Sequence, residues 1–292
     1  MIISAIALAA LLAVPGPAIA EDNDKRAPAA KIDTEHLFGF NTGTDIGEVG
    51  DRELEGGLDA RLAKRIGSYA ALLPTVGYEI VPVQNLRLEF TTSFSYHDIA
   101  GVTGLDDRRQ AAFQGASIEA RYRLLDREKS FIGLALDVEP HWGRIDETSG
   151  APVDQYGVDI AILADKTLVE NRILGVFNLI YEPEATRSRM SGAWMREATL
   201  GVSTGLMWQV QQNLFVGAEA RYLRRYAAIG LDRFAGHALF IGPMAFVKLD
   251  DHWWASAALS VQVAGRAVDD PGPLDLTNFE RVQAKFRVGY NF

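Results

Sequence analysis

The chain has 292 residues, is 48% hydrophobic, lacks cysteine and carries a formal net charge of −9. That balance, with a pI near 5.1, argues against nucleic acid as a partner, whose phosphates need a basic footprint. Absent cysteines leave no disulfide, thiolate nucleophile or cysteine metal site. Beyond the N-terminal run there is no apolar stretch near the roughly 20 residues of a membrane helix, which excludes a helical membrane protein.

The apolar run Ile2 to Val14 is followed by Pro15-Gly16-Pro17 and by Ala18-Ile19-Ala20 before acidic Glu21-Asp22. This small-residue pattern predicts a signal peptide over 1–20, cleaved after Ala20, although Met1 to Ser4 contain no basic residue. Residues 21–51 are read as a periplasmic leader or a lumenal plug, with Gly39, Gly43 and Gly47 punctuating the second half; an extra strand is the alternative. Asp45, Glu48 and Asp51 lack a calcium-loop spacing.

From residue 52 onward the chain reads as a transmembrane domain, 52–292, of about twelve strands. They are placed near 53–66, 69–82, 85–98, 113–125, 130–144, 154–165, 171–183, 194–209, 213–225, 236–249, 252–265 and 279–292. Each exceeds the about 9–11 residues a tilted strand needs to cross a bilayer. Side chains alternate between faces along a strand. In the third strand Leu86, Leu88, Phe90, Thr92, Phe94 and Tyr96 oppose Arg87, Glu89, Thr91, Ser93, Ser95 and His97. The strands at 69–82, 171–183 and 236–249 are rather apolar on both faces, which leaves their register open.

Predicted turns near Val83-Gln84, Asp126-Arg127, Lys166-Thr167, Gln211-Gln212 and Asp250-Asp251 are short. The opposite connections, apart from a tight one at Gly67-Ser68, are mostly longer, as in barrels with short periplasmic turns and long external loops. Tyr96, Trp142, Tyr156, Tyr181, Trp194, Trp208, Tyr222, Trp253 and Tyr290 fit interfacial girdles.

The last segment sets Val282, Ala284, Phe286, Val288, Tyr290 and Phe292 against Arg281, Gln283, Lys285, Arg287 and Asn291. In this strand, and in its terminal aromatic residue, the chain resembles the outer-membrane β-barrels of Gram-negative bacteria, and in general pattern their small channel proteins. The resemblance implies a bacterial outer-membrane location, outer-membrane lipid as surroundings, and recognition of Tyr290 and Phe292 by the barrel assembly machinery. The fold expected is all-β, a closed antiparallel up-and-down barrel.

A charge facing lipid at midplane costs about 2–4 kcal/mol, so strand charges should point into the lumen. Parity assigns Arg87, Glu89, Glu119, Arg121, Arg123, Asp137, Glu139, Asp159, Glu182, Glu219, Arg221, Arg281, Lys285 and Arg287 to that lining. Strand six lies opposite strand twelve in such a ring, so an acidic wall of Asp137, Glu139, Asp159 and Glu182 should face Arg281, Lys285 and Arg287. Such a transverse field orients small polar or zwitterionic solutes. The function expected is therefore a narrow passive channel. The alternatives are a lumen closed by paired charges, or a surface-binding barrel acting through loops 99–112 and 266–278. His97 and His141 fall on inward parity, no G-x-S-x-G elbow occurs, and His97, Asp98 and His141 lack a metal-ligand spacing; neither an enzyme nor a cofactor is implied.

Overall fold

A computed structural model describes residues 32–270 and 272–292. The segment read as a signal peptide and the start of the 21–51 stretch lie outside the described residues. The strands are β1 (Arg52–Leu62), β2 (Ser68–Val83), β3 (Leu86–Ala100), β4 (Arg108–Leu125), β5 (Gly133–Ile145), β6 (Pro152–Val169), β7 (Ile173–Ser188), β8 (Trp194–Gln211), β9 (Leu214–Tyr226), β10 (Phe234–Lys248), β11 (Trp253–Ala267) and β12 (Val282–Asn291). Each pairs antiparallel with its neighbour in chain order, and β1 pairs with β12 from Glu53↔Asn291 to Leu62↔Val282. Closure has a direct physical cause, since unpaired backbone groups in hydrocarbon cost several kcal/mol each. Among the described residues no helix is long and apolar enough to cross a membrane.

Alternation sorts the side chains. Phe90, Phe94, Ile118, Leu206, Ile241 and Phe286 are exposed on the outer face, and Trp142, Tyr156, Trp194, Trp208, Tyr222 and Trp253 join them. One end of the barrel carries both of its termini and the connections 84–85, 126–132, 170–172, 212–213 and 249–252; the other carries the connections that include 227–233 and 268–281. β12 begins at Val282 rather than at 279, because Phe279 and Glu280 turn inward and are only 7% and 3% exposed.

Residues 32–50 run inside the barrel, toward the end that carries the termini. Leu37 and Phe38 are fully buried against inward side chains of five strands: Leu174 and Val176, Met207, Phe215, Met244 and Ala258. Burying each contributes about 1.5–3 kcal/mol. The chain passes the wall closely. A Cβ at Gly39 would lie 2.3 Å from Ala258 Cβ, and one at Gly43 would lie 2.2 Å from the Thr34 carbonyl oxygen. Two loops fold in at the other end: Phe279 packs on Leu223, Ala238 and Phe240, and Val102 joins Tyr69, Ala71 and Ile99.

Candidate functional site

The interior segment is held by charge. Arg127, in the β4–β5 turn, donates to the Ile32 carbonyl (2.7 Å), Thr34 Oγ1 (2.9 Å), Asp45 Oδ2 (2.8 Å) and Asp165 Oδ2 (3.2 Å). Asp165 on β6 also accepts from the Thr44 backbone N–H (2.9 Å) and hydroxyl (2.8 Å). Asn178 on β7 exchanges two bonds with the Thr42 backbone, at 2.8 and 2.9 Å. Glu219 on β9 receives the Phe40 N–H at 3.0 Å and the Asn41 amide at 2.9 Å. Arg287 on β12 donates to the Phe38 carbonyl at 2.8 Å. The Arg221 guanidinium lies 3.7 Å from the centre of the Phe40 ring.

Strand register then produces an unusual row of carboxylates. Glu53 faces Glu79, Glu79 faces Glu89, and Glu89 faces Glu119 across successive ladders. The β4–β5 register continues the row from Glu119 to Glu139, Glu139 faces Asp159, and the β6–β7 register brings Asp159 opposite Glu182. Like charges directly opposite one another are destabilising, so the row needs counter-charge. From Glu79 to Glu119 the row has it. Arg87 reaches Glu35 (3.1 Å), Glu79 (2.9 Å), Glu89 (3.2 Å) and Glu119 (2.5 Å), and Arg121 reaches Glu119 (3.0 Å) and Asp137 (2.7 Å). Its upper part has none within ion-pair distance. Among the described residues no lysine or arginine forms an ion pair with Glu139, Asp159 or Glu182; Asp159 has only His141, at 3.7 Å.

That upper row lines a cavity of about 590 Å³ in the lumen, with Arg61, Arg221 and Lys285 on other parts of its wall. Of the residues assigned to the lumen from sequence, Arg87, Glu89, Glu119, Arg121, Asp137, Glu139, Asp159, Glu182, Arg221, Lys285 and Arg287 line it. Glu219 lies beneath the interior segment, and Arg123 sits near the termini, bonded to Asn85 (3.2 Å) and 3.9 Å from Asp45. Arg281 is different: it is exposed and precedes β12, because the inward turn at Phe279 and Glu280 shortens the strand. The basic residues of β12 also pair sideways. Lys285 lies 3.9 Å from Asp59, and Arg287 lies 3.7 Å from Glu55, both carboxylates belonging to the adjacent β1. The wall-against-wall field expected from sequence is thus reduced on its basic side. Tyr290 and Phe292 form an edge-on aromatic pair at 5.2 Å, next to Trp253.

Sequence reasoning did not single out Arg127, Asp165, Glu53 or Glu79, although the last three sit on inward parity. It also passed over His36, whose ring stacks on Trp254 at 4.2 Å. Burial pushes that imidazole down to about 3, so the ring is neutral. His97, considered beside Asp98 and His141 as a metal candidate, instead contacts the Glu147 carbonyl at 3.0 Å and ties down the β5–β6 loop.

A closed barrel with an apolar outer belt, an aromatic girdle and a charged lumen defines an outer-membrane β-barrel protein. More particularly, residues 30–292 match DUF6662, a family of unknown function, and the chain belongs to that family. No curated protein matches it. Among solved structures it is similar to the COG4313 outer membrane channel from Pseudomonas putida F1, with TM-score 0.59 and 13% identity, covering 85% of this chain and 98% of that one. It is also similar to the translocator domain of the autotransporter NalP from Neisseria meningitidis, with TM-score 0.54 and 15% identity, covering 85% and 91%. At such identities the likeness is one of fold.

Proposed function

We propose that the chain is an exported outer-membrane channel for small polar solutes, selecting cationic or zwitterionic ones, and that residues 32–50 close it toward the periplasm. The observation that carries this reading is the cavity lined by Glu139, Asp159 and Glu182. All three side chains are open to the lumen in part, Asp159 to 42%, and among the described residues none has a lysine or arginine within ion-pair distance, so the row belongs with water or a cationic group there. A merely structural interior would be filled by paired charges, as it is around Arg87 and Arg121. The role is transport rather than catalysis. Export relies on the segment removed after Ala20, and membrane insertion on recognition of the β12 end by the assembly machinery.

The test is bilayer conductance of the refolded mature chain beside a Glu139→Gln, Asp159→Asn, Glu182→Gln variant. Discrete openings with a cation preference that falls in the variant support the channel. A second reading, a closed barrel that binds partners through its external loops, is favoured by the many bonds that hold residues 32–50 in place. A folded barrel that stays silent even when the Arg127 contacts are removed would overturn the channel and leave the closed barrel.

A further inference from the structure

His36 is the least accounted-for polar group in the interior. Its side chain is only 10% exposed, and neither ring nitrogen makes a hydrogen bond, although Nε2 lies 3.2 Å from Glu53 Oε2 and Nδ1 lies 3.8 Å from Glu55 Oε2. Glu53 is equally unusual: it is 3% exposed, its Oε1 is buried without a partner, and no lysine or arginine among the described residues pairs with it. Burying such groups unpaired is expensive, and the environment holds them there deliberately. The stack on Trp254, with planes only 10° apart, fixes the imidazole. Trp254 Nε1 donates to Glu53 Oε2 at 3.0 Å, which orients the carboxylate and leaves Oε1 free.

The local charge is also unbalanced. Four carboxylates, Glu35, Glu53, Glu55 and Glu79, surround His36, against two guanidiniums. Arg87 serves Glu35 and Glu79 but is shared with Glu89 and Glu119, and Arg287 approaches Glu55 only to 3.7 Å. About two negative charges are left over, the charge of one divalent cation. One nitrogen of His36 and carboxylate oxygens of Glu53 and Glu55 all lie within 4.8 Å of one another, as do ligand atoms of Glu35, His36 and Glu79. The second set already has Arg87; the first does not.

We propose that His36, Glu53 and Glu55 form a divalent transition-metal site that joins the interior segment to β1. An imidazole with two carboxylates suits Zn²⁺ or Mn²⁺. Trp254 supplies the outer contact that aligns a ligand, a class of contact whose loss typically costs about 10–100-fold in affinity. Binding would clamp residues 32–50 against the barrel wall. This inference rests on the pocket alone, and it stands whether or not the barrel conducts.

The experiment is calorimetric titration of the refolded, chelator-stripped full mature chain with Zn²⁺, together with elemental analysis after dialysis. One ion per chain is expected, with affinity lowered at least about 10-fold in His36→Ala and in Glu53→Gln, and unchanged in His141→Ala, the other lumenal histidine beside an acid. Should His36→Ala not give a heat-modifiable barrel, Co²⁺ quenching of tryptophan fluorescence reads the same site. Wild-type protein should be quenched stoichiometrically, and Trp254→Phe should lose that component while still binding Zn²⁺, about 10–100-fold more weakly. Absence of Zn²⁺ binding by folded wild-type protein, or equal binding in His36→Ala and Glu53→Gln, would overturn the site.

Discussion

Replacing Arg127 with alanine should release the interior segment without unfolding the barrel. The guanidinium is 3% exposed and bridges Asp45 and Asp165, whose side chains are 4% and 0% exposed. Charged hydrogen bonds contribute about 1.5–3 kcal/mol each, and removing one member of a buried ion pair costs about 3–5 kcal/mol. Taking about 4 kcal/mol, and a factor of ten for every 1.4 kcal/mol, the released population rises on the order of a thousandfold. The chain has no native cysteine, so Thr42→Cys provides a single reporter; its backbone bonds to Asn178 do not depend on the side chain. Maleimide labelling of that cysteine follows the fraction of time the segment is open. It should accelerate by two to three orders of magnitude, on the order of that population shift, and channel openings should become frequent. Unchanged labelling in a heat-modifiable Arg127→Ala barrel would refute the reasoning.

Three further outcomes follow from the same contacts. Gly43→Ala pushes a methyl group to 2.2 Å from the Thr34 carbonyl, so the Thr42→Cys reporter should label faster while the barrel keeps its heat-modifiable mobility on gels. Although burial opposes it, the charges of Lys64 and Arg61 hold the Glu280 carboxyl below its usual 4.5; a depressed carboxylate stabilises the fold above 4.5 and loses that contribution as pH falls through its folded value. The Asp275 amide donates to Gln262 Oε1 (2.6 Å), and Gln262 donates to the Glu280 carbonyl (3.2 Å), so the protection factor of that amide should be high at neutral pH and fall as pH drops below 4.5, whereas Glu280→Gln should be less protected and show no such pH step. Neutralising Glu139, Asp159 and Glu182 together should move the reversal potential toward anions, and no movement would detach those residues from the permeation path.

Strand number, facing and girdle were legible because a charged lumen and an apolar membrane impose opposite demands on alternate residues. Where that contrast failed, in 171–183 and 236–249, the cause is now visible. Leu174, Val176 and Met244 face inward, yet they meet Leu37 and Phe38 rather than water. The same holds at 69–82, where Tyr69 and Ala71 are covered by Val102 from a loop. An interior segment erases the polar half of the pattern wherever it docks. The row of carboxylates was hidden for another reason: its members are far apart in sequence, and only the hairpin registers bring Glu53, Glu79, Glu89 and Glu119 side by side. Arg281 misled because parity says nothing of where a loop bends inward.

The bonds from Arg287 to the carbonyls of His36 and Phe38 bear on the order of assembly. That arginine belongs to the last strand made, and the segment it grips immediately precedes the first. The interior segment cannot reach its final contacts until the two edges of the sheet have met. Once they have met, its stretch from Thr34 to Ile46 is enclosed by the wall. The full set of contacts of the N-terminal segment therefore depends on the joined edges, and a variant that fails to trap the segment is also expected to leave the joint between β1 and β12 the weakest line of the cylinder.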